Sequence, residues 1–202
     1  MDLVIATRNG GKLREIRAMA SHIELNLLSL DDFKQIGQIK ESGKTFEENA
    51  VLKARTVAKK TGILTLADDS GLEVEHLNDQ PGIYSARFAG EKASDYANNE
   101  KLLELLRDVP PHHRYARFVC TIALATPETL IGTVTGTCEG MIGDKLTGSG
   151  GFGYDPLFIV NNYNQTFAEL RPEIKNKISH RAKAICKALI MLENYLIEKQ
   201  NT

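Results

Sequence analysis

The chain has 202 residues, 25 of them lysine or arginine and 26 aspartate or glutamate, giving a net charge of −1, and 42% are hydrophobic. That length accommodates one large domain or two small lobes and needs no staples to bury a core. The balanced charge argues against a polybasic nucleic-acid binder.

Cys120, Cys138 and Cys186 are widely spaced and odd in number. They make no zinc pattern and suggest a reducing compartment. Cys186 falls on an apolar helix face and is expected in the core. The start, Met1-Asp2-Leu3-Val4-Ile5-Ala6, has no basic n-region and reads as a strand rather than a signal peptide. No run reaches transmembrane length, so the expected location is cytoplasmic, without membrane contact.

Leu3 to Ala6 is a short buried strand. Thr7-Arg8-Asn9-Gly10-Gly11-Lys12 follows, then a helix with Leu13, Ile16, Met19 and Ala20 on one face. Strand, glycine loop, lysine and helix make a phosphate cradle, because helix N-terminal N–H groups attract anions and lysine adds a point charge. The spacing is too short for a Walker A motif, and a plain helix entry with a surface lysine is the alternative. Ile23 to Leu30 should be a second strand, and Asp31-Asp32-Phe33 a turn.

Glu41-Ser42-Gly43-Lys44-Thr45-Phe46-Glu47-Glu48-Asn49 contains a capping box at Thr45 and Glu48, so a helix starts at Phe46 and stops near Gly62. Its inward residues are Phe46, Ala50, Leu52, Ala54, Val57 and Ala58. Asn49 and Lys53 share a face one turn apart. By themselves they read as a solvated face, and Glu41 as either a metal carboxylate or a surface charge.

The central stretch is Ile63-Leu64-Thr65-Leu66-Ala67-Asp68-Asp69-Ser70-Gly71-Leu72, an apolar run ending in two carboxylates, a hydroxyl and a glycine at which the chain can turn away. Adjacent strand residues point to opposite faces, so Asp68 and Asp69 should not both face one site. Carboxylates at a strand end commonly hold a divalent ion against phosphate oxygens. The alternative is a polar turn with an aspartate cap. Leu72 to Val74 extends a strand.

Pro81 to Gly90 carries exposed aromatics and reads as a lid, a subunit contact or a packed loop. Ser94 caps a helix to about Arg107 with Leu102, Leu103, Leu105 and Leu106 inward. His112 and His113 read as surface residues. Arg117 to Ala125 and Leu130 to Met141, joined by Thr126-Pro127-Glu128-Thr129, read as an antiparallel hairpin. Lys145 to Gly151 is a glycine-rich loop leading to Phe152-Gly153-Tyr154-Asp155-Pro156-Leu157-Phe158. Aromatic faces there suit a purine ring, and glycines allow close backbone approach; a β-bulge packing Phe and Tyr into the core is the alternative. Ser179 can cap a final helix with Ala182, Ile185, Leu189, Leu192 and Leu196 buried. His180 and Arg181 then occupy its first turn, where the helix dipole disfavours cations, a hint that they serve a ligand.

Five blocks in this order resemble one family: Thr7-Arg8-Asn9-Gly10-Gly11-Lys12, Glu41-Ser42-Gly43-Lys44-Thr45-Phe46, Ala67-Asp68-Asp69-Ser70-Gly71, Phe152-Gly153-Tyr154-Asp155-Pro156 and Ser179-His180-Arg181. It is the noncanonical purine NTP pyrophosphatase family, the Ham1-like inosine triphosphate pyrophosphatases. The resemblance runs from Leu3 to the final helix, and the Pro81 to Gly90 segment looks like the family's loop. Arg8 departs from it, since many members have glycine there.

The resemblance implies one α/β domain over residues 1–202, with two lobes on a long, mixed, twisted sheet, flanking helices and the active site in the central cleft. It also implies a homodimer, Mg2+, and hydrolysis of ITP, dITP and XTP to the monophosphate and pyrophosphate, cleansing the nucleotide pool. Carried onto this chain, Asp69 is catalytic and, with Glu41, holds the metal. Thr7, Arg8, Asn9, Gly10, Gly11 and Lys12 hold the triphosphate, and Ser70 bonds the ligand. Phe152, Gly153, Tyr154 and Asp155 form the base wall. Lys175, His180 and Arg181 line the base and triphosphate. Asn49, Lys53 and Asp68 support the site. Two other classes compete: a nucleotide-binding regulator without catalysis, and an RNA- or single-strand-binding module, which the near-zero charge disfavours. A Maf-like pyrophosphatase is the nearest enzyme alternative.

Overall fold

Leu3, Val4 and Ile5 are each at most 1% exposed, and their burial explains the first strand. In the computed structural model, which describes residues 1–20 and 25–200, Asp2–Ile5 forms β1. Leu3 and Ile5 join one core cluster and Val4 another. A strand buried on both faces reads as a continuous apolar run, as this one does.

β1 pairs in parallel with β2 (Asn26–Ser29) and with β3 (Thr65–Val74), in registers that include Leu3↔Leu27 and Ile5↔Leu66. Parallel neighbours need crossovers, and helices α1 (Gly10–Met19) and α2 (Phe46–Thr61) lie in those connections. Of the predicted second strand, Asn26 to Ser29 is strand and Leu30 opens a short 3-10 turn. Ile23 and Glu24 lie outside the described residues.

α2 begins where Thr45 Oγ1 accepts the Glu48 N–H at 3.1 Å and ends at Gly62, whose φ of 72° only glycine adopts without cost. The predicted box is displaced by one residue, because the Glu48 carboxylate accepts from Lys44 N–H at 2.6 Å. β3 does not stop at the acid pair. It runs unbroken through Asp68, Asp69, Ser70 and Gly71 to Val74. Both carboxylates are buried there and paired with cations, as described below, so no turn is required to hydrate them.

β4 (Gln80–Pro81) pairs antiparallel with β3, and Gly82–Arg87 packs as a 3-10 helix. α3 (Asp95–Leu105) is capped by Ser94. Leu102 and Leu106 are buried, but Leu105 is 46% exposed, against expectation. It is one residue, about 100° of helical rotation, from Leu106. β5 (Tyr115–Ala125) and β6 (Leu130–Ile142) are neighbours joined by a turn closed by Thr126 N–H to Thr129 C=O at 2.9 Å, as the hairpin reading expects. β7 (Phe158–Val160) pairs antiparallel with β6. Among the described residues the result is a mixed seven-stranded sheet in the order β2-β1-β3-β5-β6-β7, with β4 on β3.

α4 (Pro172–Ile178) precedes α5 (His180–Gln200). Ala182, Ile185, Leu189 and Leu192 are buried along α5. Cys186 is exposed rather than core, because its neighbour Ile185 takes the inward position. His112 and His113 are exposed, as expected. Among the described residues no helix is long and apolar enough to cross a membrane.

The chain forms two compact units, each discontinuous in sequence. The first comprises residues 1–69, 120–136 and 181–202, the second residues 70–119 and 137–180. In the first, Leu3, Ile5, Ile16, Leu66, Ile122 and Leu192 form one cluster and Val4, Ala50, Ala54 and Val57 another. In the second, Leu72, Val74, Leu102, Leu106, Phe158 and Phe167 share a single core.

Candidate active site

In the first unit the two carboxylates of β3 take different partners. Asp68 Oδ1 lies 3.2 Å from Lys12 Nζ, while Oδ2 accepts from Arg181 Nε at 3.1 Å and from the Cys120 thiol at 3.7 Å. Arg181, 2% exposed, also bonds Glu15. Burial alone would push the Asp68 carboxyl up, but Lys12 and Arg181 outweigh it and hold the pKa well below the usual carboxylate range. Burial beside Asp68 drives the Cys120 thiol up, so it is a neutral donor. The cation at the start of α5 thus costs little, because two carboxylates neutralise it.

Asp69 meets Lys53 instead. Lys53 Nζ donates to Asp69 Oδ1 at 3.0 Å and to Glu41 Oε1 at 2.8 Å. Asp69 Oδ2 is buried without a hydrogen-bond partner among the described residues. Burial raises the Asp69 pKa and Glu41 adds to this, against the opposing pull of Lys53 and Lys12. Burial would lower Lys53, but Asp69, Asp68 and Glu41 win and raise it, so it stays charged. The two adjacent carboxylates thus differ in their hydrogen-bonding partners, while Lys12 and Lys53 each act electrostatically on both.

Asn49 and Lys53, read from sequence as a solvated face, are 0% and 8% exposed. Asn49 Oδ1 accepts the Gly43 N–H at 2.8 Å, tying the segment after Glu41 to α2. A Cβ on Gly43 would stand 2.7 Å from that oxygen, so glycine is required by close approach.

The Thr7 to Lys12 segment wraps the start of α1. Thr7 Oγ1 accepts the Asn9 N–H at 3.1 Å, and Asn9 Oδ1 accepts from Gly11 N–H at 2.9 Å and Lys12 N–H at 3.1 Å. An anion at this helix start would exchange with the Asn9 side chain. Arg8 is drawn elsewhere, donating to the Ile36 carbonyl at 2.6 Å and lying 3.8 Å from Asp31. Gly10 is exposed and Gly11 half-buried.

The second unit holds the aromatic block. Ser70 is half-buried on β3. Phe152 is half-buried, with its N–H donated to Asp155 Oδ2 at 2.8 Å. The same oxygen accepts Lys175 Nζ at 2.6 Å, and that ammonium sits 5.0 Å from the Phe152 ring centroid. Tyr154 points into the core, 4% exposed, donating to the Ser85 carbonyl at 2.9 Å. Burial, and then Asp95, raise its phenol pKa. His180 stacks on Phe118, with centroids 4.6 Å apart and planes 11° from parallel. Gly153 is held by Asp95 and Asn99 of α3, and Glu15 and Cys120 join the Asp68 network. None of these four is among the site residues expected from the sequence. Glu15 had one legible sign, its position one turn beyond Lys12 on α1.

Among the described residues no group of three or more His, Cys, Asp or Glu side chains is placed to hold a metal ion. Glu41 and Asp69 nonetheless converge on one ammonium, and Asp69 keeps a buried oxygen unbonded. Mg2+ takes few protein ligands and completes its shell with water and substrate phosphate, so this donor pair fits such an ion.

A model of the Ham1 family matches residues 3–190. A protein of Desulforamulus reducens named dITP/XTP pyrophosphatase is 52% identical over 200 residues, covering 99% of this chain and 100% of that protein. One of Geobacter sulfurreducens with the same name is 54% identical over 183 residues, covering 91% and 92%. Among solved structures, the Ham1 protein of Staphylococcus aureus superposes with a TM-score of 0.85 at 41% identity, covering 96% of this chain and 100% of that one. A HAM1 protein from Coxiella burnetii gives 0.87 at 39%, covering 96% and 99%.

Proposed function

The chain belongs to the Ham1 family, and from that premise we infer that it hydrolyses noncanonical purine nucleoside triphosphates, ITP, dITP and XTP, to the monophosphate and pyrophosphate. The observation that carries this reading is Asp69, a buried carboxylate with one oxygen on Lys53, the other unbonded, and a pKa above the ordinary value. A carboxylate so placed can take a proton from water attacking the α-phosphorus as pyrophosphate leaves.

Lys12 keeps ammonium hydrogens beyond its contact with Asp68 for the triphosphate, since lysine has three donors. Charge growing on the phosphate oxygens is met by lysine, the usual means of catalysing such transfers. Mg2+ on Asp69 and Glu41 would supply further neutralisation of the triphosphate when bound. The half-exposed ring of Phe152 offers a stacking face for the purine. His180 and Arg181 offer donors suited to the oxygen at C6 of hypoxanthine or xanthine, where adenine carries an amino group.

On this reading residues 1–202 are a single pyrophosphatase domain, cytoplasmic and homodimeric, with no nucleic-acid polymer or membrane as partner. The resemblance to the family supports these features, and sedimentation would check the dimer. The deciding experiment is a panel of nucleoside triphosphates with Mg2+, scored for monophosphate and pyrophosphate. ITP, dITP and XTP should far exceed ATP, whereas release of single phosphate or a preference for pyrimidines would sink the assignment.

A further inference from the structure

Gly153 has φ of 62° and no side chain to anchor it, yet both of its backbone polar groups are gripped from one helix. Its N–H donates to Asp95 Oδ2 at 2.7 Å, and its carbonyl accepts from Asn99 Nδ2 at 2.9 Å. Asp95 and Asn99 lie one turn apart on α3, and Asn99 Nδ2 also donates to the Asp95 carbonyl at 2.8 Å, so the two grips are joined. On the other side of Phe152, its own N–H goes to Asp155 Oδ2 at 2.8 Å. The peptides flanking Phe152 are therefore both fixed by carboxylates, while its ring remains half-exposed.

An aromatic residue in a glycine-rich loop would otherwise sample many orientations, and ordering it would be charged against ligand affinity. We propose that Asp95 and Asn99 are positioning residues that clamp Gly153 and so hold the Phe152 ring ready to stack on the base, making α3 part of substrate selection without touching substrate. This rests on the reading of Phe152 as the stacking surface. The clamp acts on the base end alone, so its loss should spare phosphate binding. Asp95 is exposed and Asn99 is 2% exposed, so Asp95 variants are the ones expected to fold without difficulty.

The test is kinetics on ITP beside inhibition by inorganic tripolyphosphate, a probe with phosphates and no base. Asp95→Ala should raise KM for ITP by roughly tenfold or more, the scale of one hydrogen bond to a charged group. The tripolyphosphate inhibition constant should hold, and circular dichroism should show the fold of the parent protein. Asp95→Asn, which keeps an acceptor, should recover most of the loss, and Asn99→Leu should repeat it. In a Phe152→Ala background the Asp95 change should add nothing, because coupled residues are not additive. Equal weakening toward ITP and tripolyphosphate would mean a general structural role and overturn the proposal. If Phe152→Ala impairs ITP and Asp95→Ala does not, the clamp alone is wrong. If Phe152→Ala has no effect, the stacking reading fails and the clamp fails with it.

Discussion

Lys53 donates to Oδ1 of Asp69 at 3.0 Å and leaves Oδ2 of that carboxylate buried without a hydrogen-bond partner among the described residues. A charged neighbour on one oxygen favours ionisation, while the other oxygen stays available. Burial alone would leave Asp69 a neutral acid over a wider pH range; the lysine restrains that rise.

Asp69→Asn preserves size and removes the charge. On the proposed chemistry the folded variant should lose roughly 10²-fold or more in turnover. Steady-state assays on ITP, with circular dichroism to confirm folding, settle the matter. Near-normal turnover would move the central role to Asp68.

The pH dependence should respond to the two neighbours of Asp69 in opposite directions. In the metal-free protein the Asp69 pKa lies above its ordinary 3.8, so its carboxyl titration there, followed by NMR, should lie above that value too. Lys53 lowers this pKa and Glu41 raises it. Lys53→Met should therefore move the metal-free titration to higher pH, and Glu41→Gln to lower pH. Titrations shifting the same way in both variants would contradict these opposing effects of Lys53 and Glu41.

Asp68 should report on stability. Its pKa is depressed below 3.8, so its ionised form stabilises the fold above that value, and the contribution is lost as pH falls through the folded pKa. Asp68→Asn leaves Lys12 and Arg181 without their full partner. Breaking a buried ion pair in this way costs roughly 3 kcal/mol. Urea unfolding should show that loss at neutral pH and a shallower decline on acidification than in the parent. An unchanged acid slope would contradict the assignment.

Base reading is better tested at His180 than at Arg181, whose removal would break the pairs with Asp68 and Glu15. His180→Phe keeps a ring against Phe118 and removes both nitrogens. If His180 reads the C6 oxygen, kcat/KM should fall for ITP by roughly tenfold and change little for ATP. Equal losses on both would assign it a packing role.

The local elements were legible because each has a nearby cause. β1 is an apolar run, α2 has Thr45 before it and Gly62 after it, and β5 and β6 flank a turn sequence. Pairings across long sequence distances were not. Nothing near Asp68 announces Arg181, 113 residues away, and so the continuation of β3 through two acids could not be foreseen. Lys53 reads as solvated until Glu41 and Asp69 are seen beside it. Asp95 looks like ordinary acidic decoration of a helix start, and only the folded loop shows it holding Gly153.

The segment pattern of the two units has a consequence for fragments. The chain passes from one unit to the other at 69–70, 119–120, 136–137 and 180–181. A protease nick at any one of these crossings, or in the turn at Thr126 to Thr129 inside the first unit, leaves each unit tied to the other by intact polypeptide. No terminal truncation can excise either unit whole. Nicked protein should therefore migrate as one species under native conditions and separate into pieces only in denaturant, and neither half of the gene should yield a folded product when expressed without the other.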